Sequence, residues 1–413
     1  MADRNRIIIR GLSGLSALGA QDDSPNFLWE AGLRLSEAPV SSIPSRIGKA
    51  PVFALRDGAD SLVRQVAQDE RYHRLDRTAH MAIAAARSTF ARLHSIGGVV
   101  TGVGCVSIGS SRGPTMALEQ SLSRFEREGR LASLTSPTTT AGNISSWVAQ
   151  EYLSCCRSEG SDCDRTQPIA ALTTSMTCSS ALQSLLVAKS FVASGMAQAA
   201  IFGGSEACLT PYTIAQLEAL RIYGGAHTAW PSRPLDREGR ENAVVLGEGA
   251  GTAMLVTAHD RAELKPGDLE LLGVGWALES IPSPTGISED GVAFERAMRM
   301  ALSAAGAGVR VGAVVAHAPG TRSGDEAERS AIGRVFGDIL TVSTKHLTGH
   351  SYGASGMLSL SLANALLDGL IWPGLPYKNH GVTSRRLEPG SAVMVNSAGF
   401  GGNAVSVVVA EPQ

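Results

Sequence analysis

Three side chains stand where chemistry is open to them. Cys178 closes the small hydroxyl run of TTSMTC and opens the apolar stretch SSALQSLLVAK. A thiol at a helix start meets unpaired N–H groups and the positive end of the dipole, which favours the thiolate. A lone cysteine is otherwise most often a small buried hydrophobe. A nucleophilic reading therefore needs a base or an electrostatic partner, and donors for a substrate oxyanion. His317 ends the apolar run GAVVAH and leads into APGTRSGD, and His350 sits in TGHSYGASG at a strand–turn–helix junction. A histidine at the carboxyl end of a buried strand reaches the crevice of an open α/β sheet. For either one alone, a hydrogen-bonded core histidine is the plainer reading. His73, His80, His94, His227, His259, His346 and His380 lie in polar or helical contexts, where a surface position is the default. Lys345 precedes His350 by five positions, and Glu328 follows His317 by eleven. Should those two meet in the core they must pair, because an isolated buried charge is costly. In NSAGFGGNA, Gly399, Gly401 and Gly402 free the amides around Phe400, which suits an oxyanion donor or a tight hairpin equally.

Alternating strands and helices must position these groups. RIIIRG, GCVSIGS, AAIFGGSE, GTAMLVTA, GAVVAHAPG, AVMVNSAG and NAVSVVVAE read as strands, the first as an edge-to-core strand entering a loop. Helical patterns cover 75–94, 179–194, 213–220, 290–304, 325–336 and 353–368. That alternation predicts an α/β layered protein. A weak internal echo divides it: a strand leads to Cys178 and an apolar helix in the first half, and the same sequence of elements surrounds His350 in the second. Both helices are apolar nearly all round, as helices inside a layered core are.

Composition removes several classes of function. With 36 Lys+Arg against 38 Asp+Glu, the net charge of −2 offers no basic field for nucleic acid. No run of about 18 apolar residues supplies a membrane span. The cysteines form no CxxC pair, and a chain of 413 residues needs no disulfide staples, so a reduced, cytoplasmic protein is expected. CCRSEGSDC, residues 155–163, reads as the start of a solvated loop rather than a metal site, since no histidine or second cysteine pair matches it. There is no GxxxxGK[ST] phosphate loop, and the glycine-rich GGVVTGVG and GLSGLSALG lack the dinucleotide-binding context.

The order of these signals is more specific than any one of them. Cys178 at its helix start is followed by GGSEA, SRPLDREGRENAVVLGEGAG, AHAPGTRSGDEAE, STKHLTGHSYGASG and NSAGFGGN, and the series resembles the β-ketoacyl-ACP synthases over nearly the whole chain. The resemblance implies a thiolase-like fold, two similar α/β halves in a five-layered αβαβα sandwich, with the halves at 1–258 and 259–413. It implies a catalytic Cys178, His317 and His350, with Lys345 and Glu328 in support. The amides of Cys178 and Phe400 would form an oxyanion hole, and Phe400 a gate. Thr285 and Thr321 would touch a phosphopantetheine arm. No metal or resident cofactor is implied; substrates arrive on an acyl carrier protein. The second subunit is either another copy or a ketosynthase-like chain-length factor.

Departures from the family pattern point away from housekeeping fatty-acid synthesis. Pro319 replaces a pantetheine threonine, Met176 stands two residues before the nucleophile beside the acyl pocket, Ala398 replaces a phenylalanine and widens the space by the gate, and Asn403 replaces a threonine. Stretches such as SSRGPT and GNISSWVA resemble the aryl polyene or flexirubin-type branch. Two rivals remain. A non-catalytic chain-length partner would lack the nucleophile, and a degradative thiolase would carry a second cysteine near the C-terminus, whereas the last one here is Cys208. Carrier proteins are acidic, so Arg71, Arg74, Arg77 and Arg221 form the expected docking face, the alternative being an ordinary solvated charge cluster.

Overall fold

In the computed structural model the described residues are 6–21, 25–46, 48–98, 101–158, 160, 168–225, 228–281, 283, 286, 288–377 and 384–413. The main sheet path runs Leu340–Val342, Val311–Val315, Ala392–Gly399, Asn403–Ala410, Leu269–Leu278, Arg6–Arg10, Gly249–Ala258, Ala199–Glu206, Val103–Gly109 and Ala170–Thr174. Counted inward from either end, three parallel strands are followed by two antiparallel ones. The two five-strand groups therefore share one topology. Arg6–Arg10 joins them, pairing antiparallel with both Gly249–Ala258 and Leu269–Leu278. It is thus a central strand rather than an edge one, and Ile8 and Ile9 are wholly buried. A division at 258/259 falls between Gly249–Ala258 and Leu269–Leu278, one strand of each group.

The layers follow from the apolar pattern. AAIFGGSE is buried at all eight positions of Ala199–Glu206, as in a strand covered on both faces. The helices Ser180–Ala193 and Ser355–Leu367 lie between the two strand groups and touch both. Their low amphipathicity matches that place: Ser355–Leu366 is buried throughout. Small residues bring these two helices together, since a Cβ on Gly356 would lie 2.9 Å from Leu182 Cγ. Arg77–Ser95 and Asn143–Ser158 cover the first group from outside, and Val292–Ala305 backed by Arg322–Phe336 covers the second. The result is the αβαβα sandwich.

Several elements are not apparent from the sequence pattern. Leu269–Leu278 carries Gly273 and Gly275, which break the alternation of a strand; a Cβ there would meet Ala301 O at 2.1 Å and Ala297 O at 2.0 Å. Those glycines let the helix Val292–Ala305 lie directly on the sheet. Cys155 and Cys156 belong to the helix Asn143–Ser158, and Cys156 is buried, so the segment read as a solvated loop begins as helix. Cys163 lies outside the described residues. Among the described residues no helix is long and apolar enough to cross a membrane.

Candidate active site

Cys178 stands just ahead of the helix Ser180–Ala193, after a sharp bend at Thr177 (φ +49°). Such a φ is unusual for a β-branched residue and is held by local bonds. Ser180 Oγ donates to Thr177 O at 2.6 Å and accepts from Met176 N at 2.9 Å. The strand Ala392–Gly399 comes in from the second half, where Ser397 Oγ donates to Cys178 O at 3.0 Å. A Cβ on Gly399 would fall 1.7 Å from Thr177 Oγ1 and 3.1 Å from Cys178 N, so only glycine lets this turn lie on the nucleophile's backbone.

His350 holds the matching place in the second half, ahead of Ser355–Leu367. Its backbone is fixed by His350 N donating to Val245 O at 2.7 Å and Gly247 N donating to His350 O at 3.1 Å. The imidazole Nε2 is 3.1 Å from Cys178 Sγ, and Nδ1 is 3.2 Å from Ser355 Oγ. His317, just beyond the strand Val311–Val315, sets its ring edge-on to that of His350, with centroids 5.4 Å apart at 76°. Cys178, His317 and His350 present their ligating atoms within 4.8 Å of one another.

Lys345 and Glu328 hold opposite ends of the His317 backbone. Lys345 Nζ donates to His317 O, while Glu328 accepts from His317 N at 2.9 Å and from Ala318 N at 2.8 Å. Asn396 Nδ2 adds a third bond to Glu328 at 3.0 Å. Both charged groups are buried, as is Asp325, which accepts from Leu235 N and Gly320 N and so shapes the turn after His317.

Burial governs the protonation states. It pushes the Cys178 thiol up to about 12, with the Lys345 cation pulling the other way. Burial therefore opposes the resting thiolate expected from the helix start, whose first helical residue is Ser180. Burial also drives His317 and His350 well below the usual histidine range, aided by Lys345, so both imidazoles are neutral. Lys345 comes down to about 8 through burial, with Glu328 opposing, and it keeps its charge at neutral pH. That cation disfavours a dication among Cys178, His317 and His350. A neutral imidazole at 3.1 Å from a protonated thiol can instead take its proton as the sulfur attacks.

A cavity of about 210 Å³ leads from the surface to these groups. Pro319, Thr321, Ala398 and Phe400 line it with Cys178, His317 and His350, and Phe400 stands partly exposed at its mouth. Thr285 lies outside the described residues. Met176 does not line the cavity and is 40% exposed.

The four arginines separate. Arg77 is half-buried and bound to Glu248 and Asp60, whereas Arg71, paired with Asp69 and Glu151, remains exposed. Arg74 and Arg221 are exposed. Two histidines read as surface groups are buried: His80 bonds Tyr72 O at 2.8 Å, and His346 packs among Trp230, Trp372 and Tyr377.

Glu206 is a site residue that its GGSEA context did not reveal. Its carboxylate is wholly buried and accepts from Ser111 N, Arg112 N and Gly353 N, tying the loop after Val103–Gly109 to the turn that follows His350. Asn396 was equally hidden. An amide side chain inside the largely apolar run AVMVNSAG was the available signal, since a buried amide needs a partner.

Residues 169–261 match the family described as β-ketoacyl synthase, N-terminal domain, and 269–377 match its C-terminal domain. The 3-oxoacyl-[acyl-carrier-protein] synthase 2 of Vibrio cholerae is 31% identical over 57% of this chain, and the match spans only 60% of the Vibrio protein. The oxytetracycline polyketide putative β-ketoacyl synthase 1 of Streptomyces rimosus is 28% identical over 99% of this chain and 98% of its own. The solved ishigamide ketosynthase/chain length factor superposes with a TM-score of 0.78 at 22% identity, covering 99% of this chain and all of that one.

Proposed function

We propose that this chain, which belongs to the β-ketoacyl synthase family, is a condensing acyltransferase that joins a malonyl unit, with loss of CO₂, to an acyl group held on Cys178. One observation carries the reading: Cys178 Sγ lies 3.1 Å from His350 Nε2 at the foot of a cavity that His317 also lines. In loading, His350 accepts the thiol proton while Sγ attacks the acyl thioester of a carrier protein. The carrier sulfur leaves and takes that proton back. In condensation, a malonyl thioester oxygen sits between the two neutral imidazoles, each presenting an N–H, His350 now as the tautomer that carries its proton on Nε2. The bond to the carboxylate breaks, its electrons form the enolate, and CO₂ departs. The enolate carbon attacks the Cys178 thioester, and the oxyanion meets the N–H groups of Cys178 and Phe400 before the sulfur leaves and takes up a proton from solvent to restore the thiol. One such donor is worth ~10²–10³ in rate. Lys345 and Glu328 act through His317 by holding its carbonyl and its N–H.

The polyketide reading draws support from the Streptomyces relative, matched along its whole length; the aryl polyene assignment rests on the residue stretches alone. Substrates come on the phosphopantetheine arm of an acidic carrier protein, docked on a face that includes Arg74 and Arg221. The outer strand Ala170–Thr174, with Leu172 42% and neighbouring Met176 40% exposed, offers an unpaired edge to a second ketosynthase-like chain, a copy or a chain-length factor. The test is reconstitution. An acyl carrier should add the acyl mass to Cys178, and malonyl carrier should then release CO₂ and a β-ketoacyl product, both lost in Cys178→Ala. An enzyme that takes no acyl group would be a chain-length partner instead.

A further inference from the structure

We infer that Asn403 is a positioning residue, a latch that ties the Phe400 turn to the helix start beside the nucleophile and sets how far the cavity mouth stands open. Asn403 is buried, and its amide faces three ways. Nδ2 donates to Phe400 O at 3.1 Å and, more weakly, to Gly399 O at 3.4 Å. Oδ1 accepts from Ser179 Oγ at 2.6 Å, sharing that hydroxyl with Met176 O at 2.8 Å. The orientation is fixed by its partners, because only the NH₂ end can satisfy two carbonyls. Ser179 is wholly buried and directly follows Cys178. One side chain thus links the turn at the mouth to the residue beside the nucleophile.

The Gly399 carbonyl belongs to the same peptide group as the Phe400 N–H. In a trans peptide the two point opposite ways, so holding the carbonyl from behind aims the N–H. The turn closes the hairpin between Ala392–Gly399 and Asn403–Ala410, whose pairing ends at Gly399 and Asn403; within the loop itself Gly401 and Gly402 take φ of +94° and +76°, and Thr177 Oγ1 reaches Phe400 O only at 3.4 Å. Glu279 N donating to Gly402 O at 3.0 Å anchors its far end. Threonine has a single, shorter-reaching polar atom to serve Phe400 O, Gly399 O and Ser179, where the amide has two.

The consequence for acyl loading rests on the proposed condensing function, whereas the latch itself is tested without it. Alkylation of Cys178 is followed by peptide mass with iodoacetamide and with a bulky aryl maleimide, in the wild type, Asn403→Ala, Asn403→Thr, Ser179→Ala and Asn403→Ala/Ser179→Ala. Opening the latch should raise the bulky-to-small rate ratio about fivefold, the shift that one net hydrogen bond supports. Ser179→Ala should match it, and the double variant should add nothing, as for two residues acting through one bond. Asn403→Thr should fall with Asn403→Ala, and it supplies the reading if the alanine variant does not fold. Unchanged ratios, or effects that multiply independently, would overturn the latch, as would lost condensation at an unchanged ratio. A shifted ratio in a protein that takes no acyl group would keep the latch and sink the condensing function.

Discussion

At neutral pH the Cys178 sulfur should be a thiol, reactive only with help. Burial pushes it up to about 12 from an ordinary 9.0. At pH 7.5 the thiolate fraction is then ~3 × 10⁻⁵, against ~3 × 10⁻² for an ordinary cysteine, a deficit of ~10³ or ~4 kcal/mol. His350 Nε2 at 3.1 Å is the group that recovers it, and a positioned general base supplies ~10²–10⁴. His350→Ala strips away the base and leaves the bare equilibrium. In that variant the log rate of Cys178 alkylation by iodoacetamide should climb with unit slope up to pH ~10 and show no plateau, as the fraction formula requires. The assay reads the Cys178 peptide by mass, which separates it from half-buried Cys155 and from buried Cys105, Cys156 and Cys208. A plateau with a midpoint below pH 8 would refute the reasoning, because it would mean that the helix start holds a thiolate despite burial.

Other outcomes follow from neighbouring groups. Lys345, brought down to about 8, loses its charge as pH rises through that value, so condensation should fall on the alkaline side and Lys345→Met should lack that limb. The same shift makes folding release a proton between about 8 and the ordinary 10.5, so stability from this group rises there, and a melting curve separates lost rate from unfolding. Gly399→Ala drives a Cβ to 1.7 Å from Thr177 Oγ1 and displaces the Phe400 amide; it should cost ~10²–10³ in kcat with secondary structure retained by circular dichroism. Glu328→Ala strands two buried N–H groups and should lower stability by ~2–6 kcal/mol in thermal unfolding.

The residues of the site were readable because each ends or begins an element whose type is written in its apolar pattern. His317 follows a β-branched run, and Cys178 and His350 precede helices too apolar to lie at the surface. Ala199–Glu206 and Ala392–Gly399 match their sequence runs residue for residue. Leu269–Leu278 was hidden because its glycines serve a helix packed across it, a tertiary need with no local signature. The burial that opposes a Cys178 thiolate was hidden for a similar reason: the helix start is local, whereas burial is a property of everything packed around it. The partners of Arg77 and Glu206 are far away in the chain, and no pattern in one sequence pairs them.

The two strand groups share a topology, and each brings one reagent to the middle: sulfur from the first, imidazoles from the second. The labour is divided between twin modules joined through the strand Arg6–Arg10 and the two helices between them. A duplicated gene that lost Cys178 would keep its fold, its histidines and every surface by which it meets a sister chain. An inert companion subunit is therefore one substitution away, and this architecture is suited to giving rise to pairs in which one member works and the other shapes the space it works in.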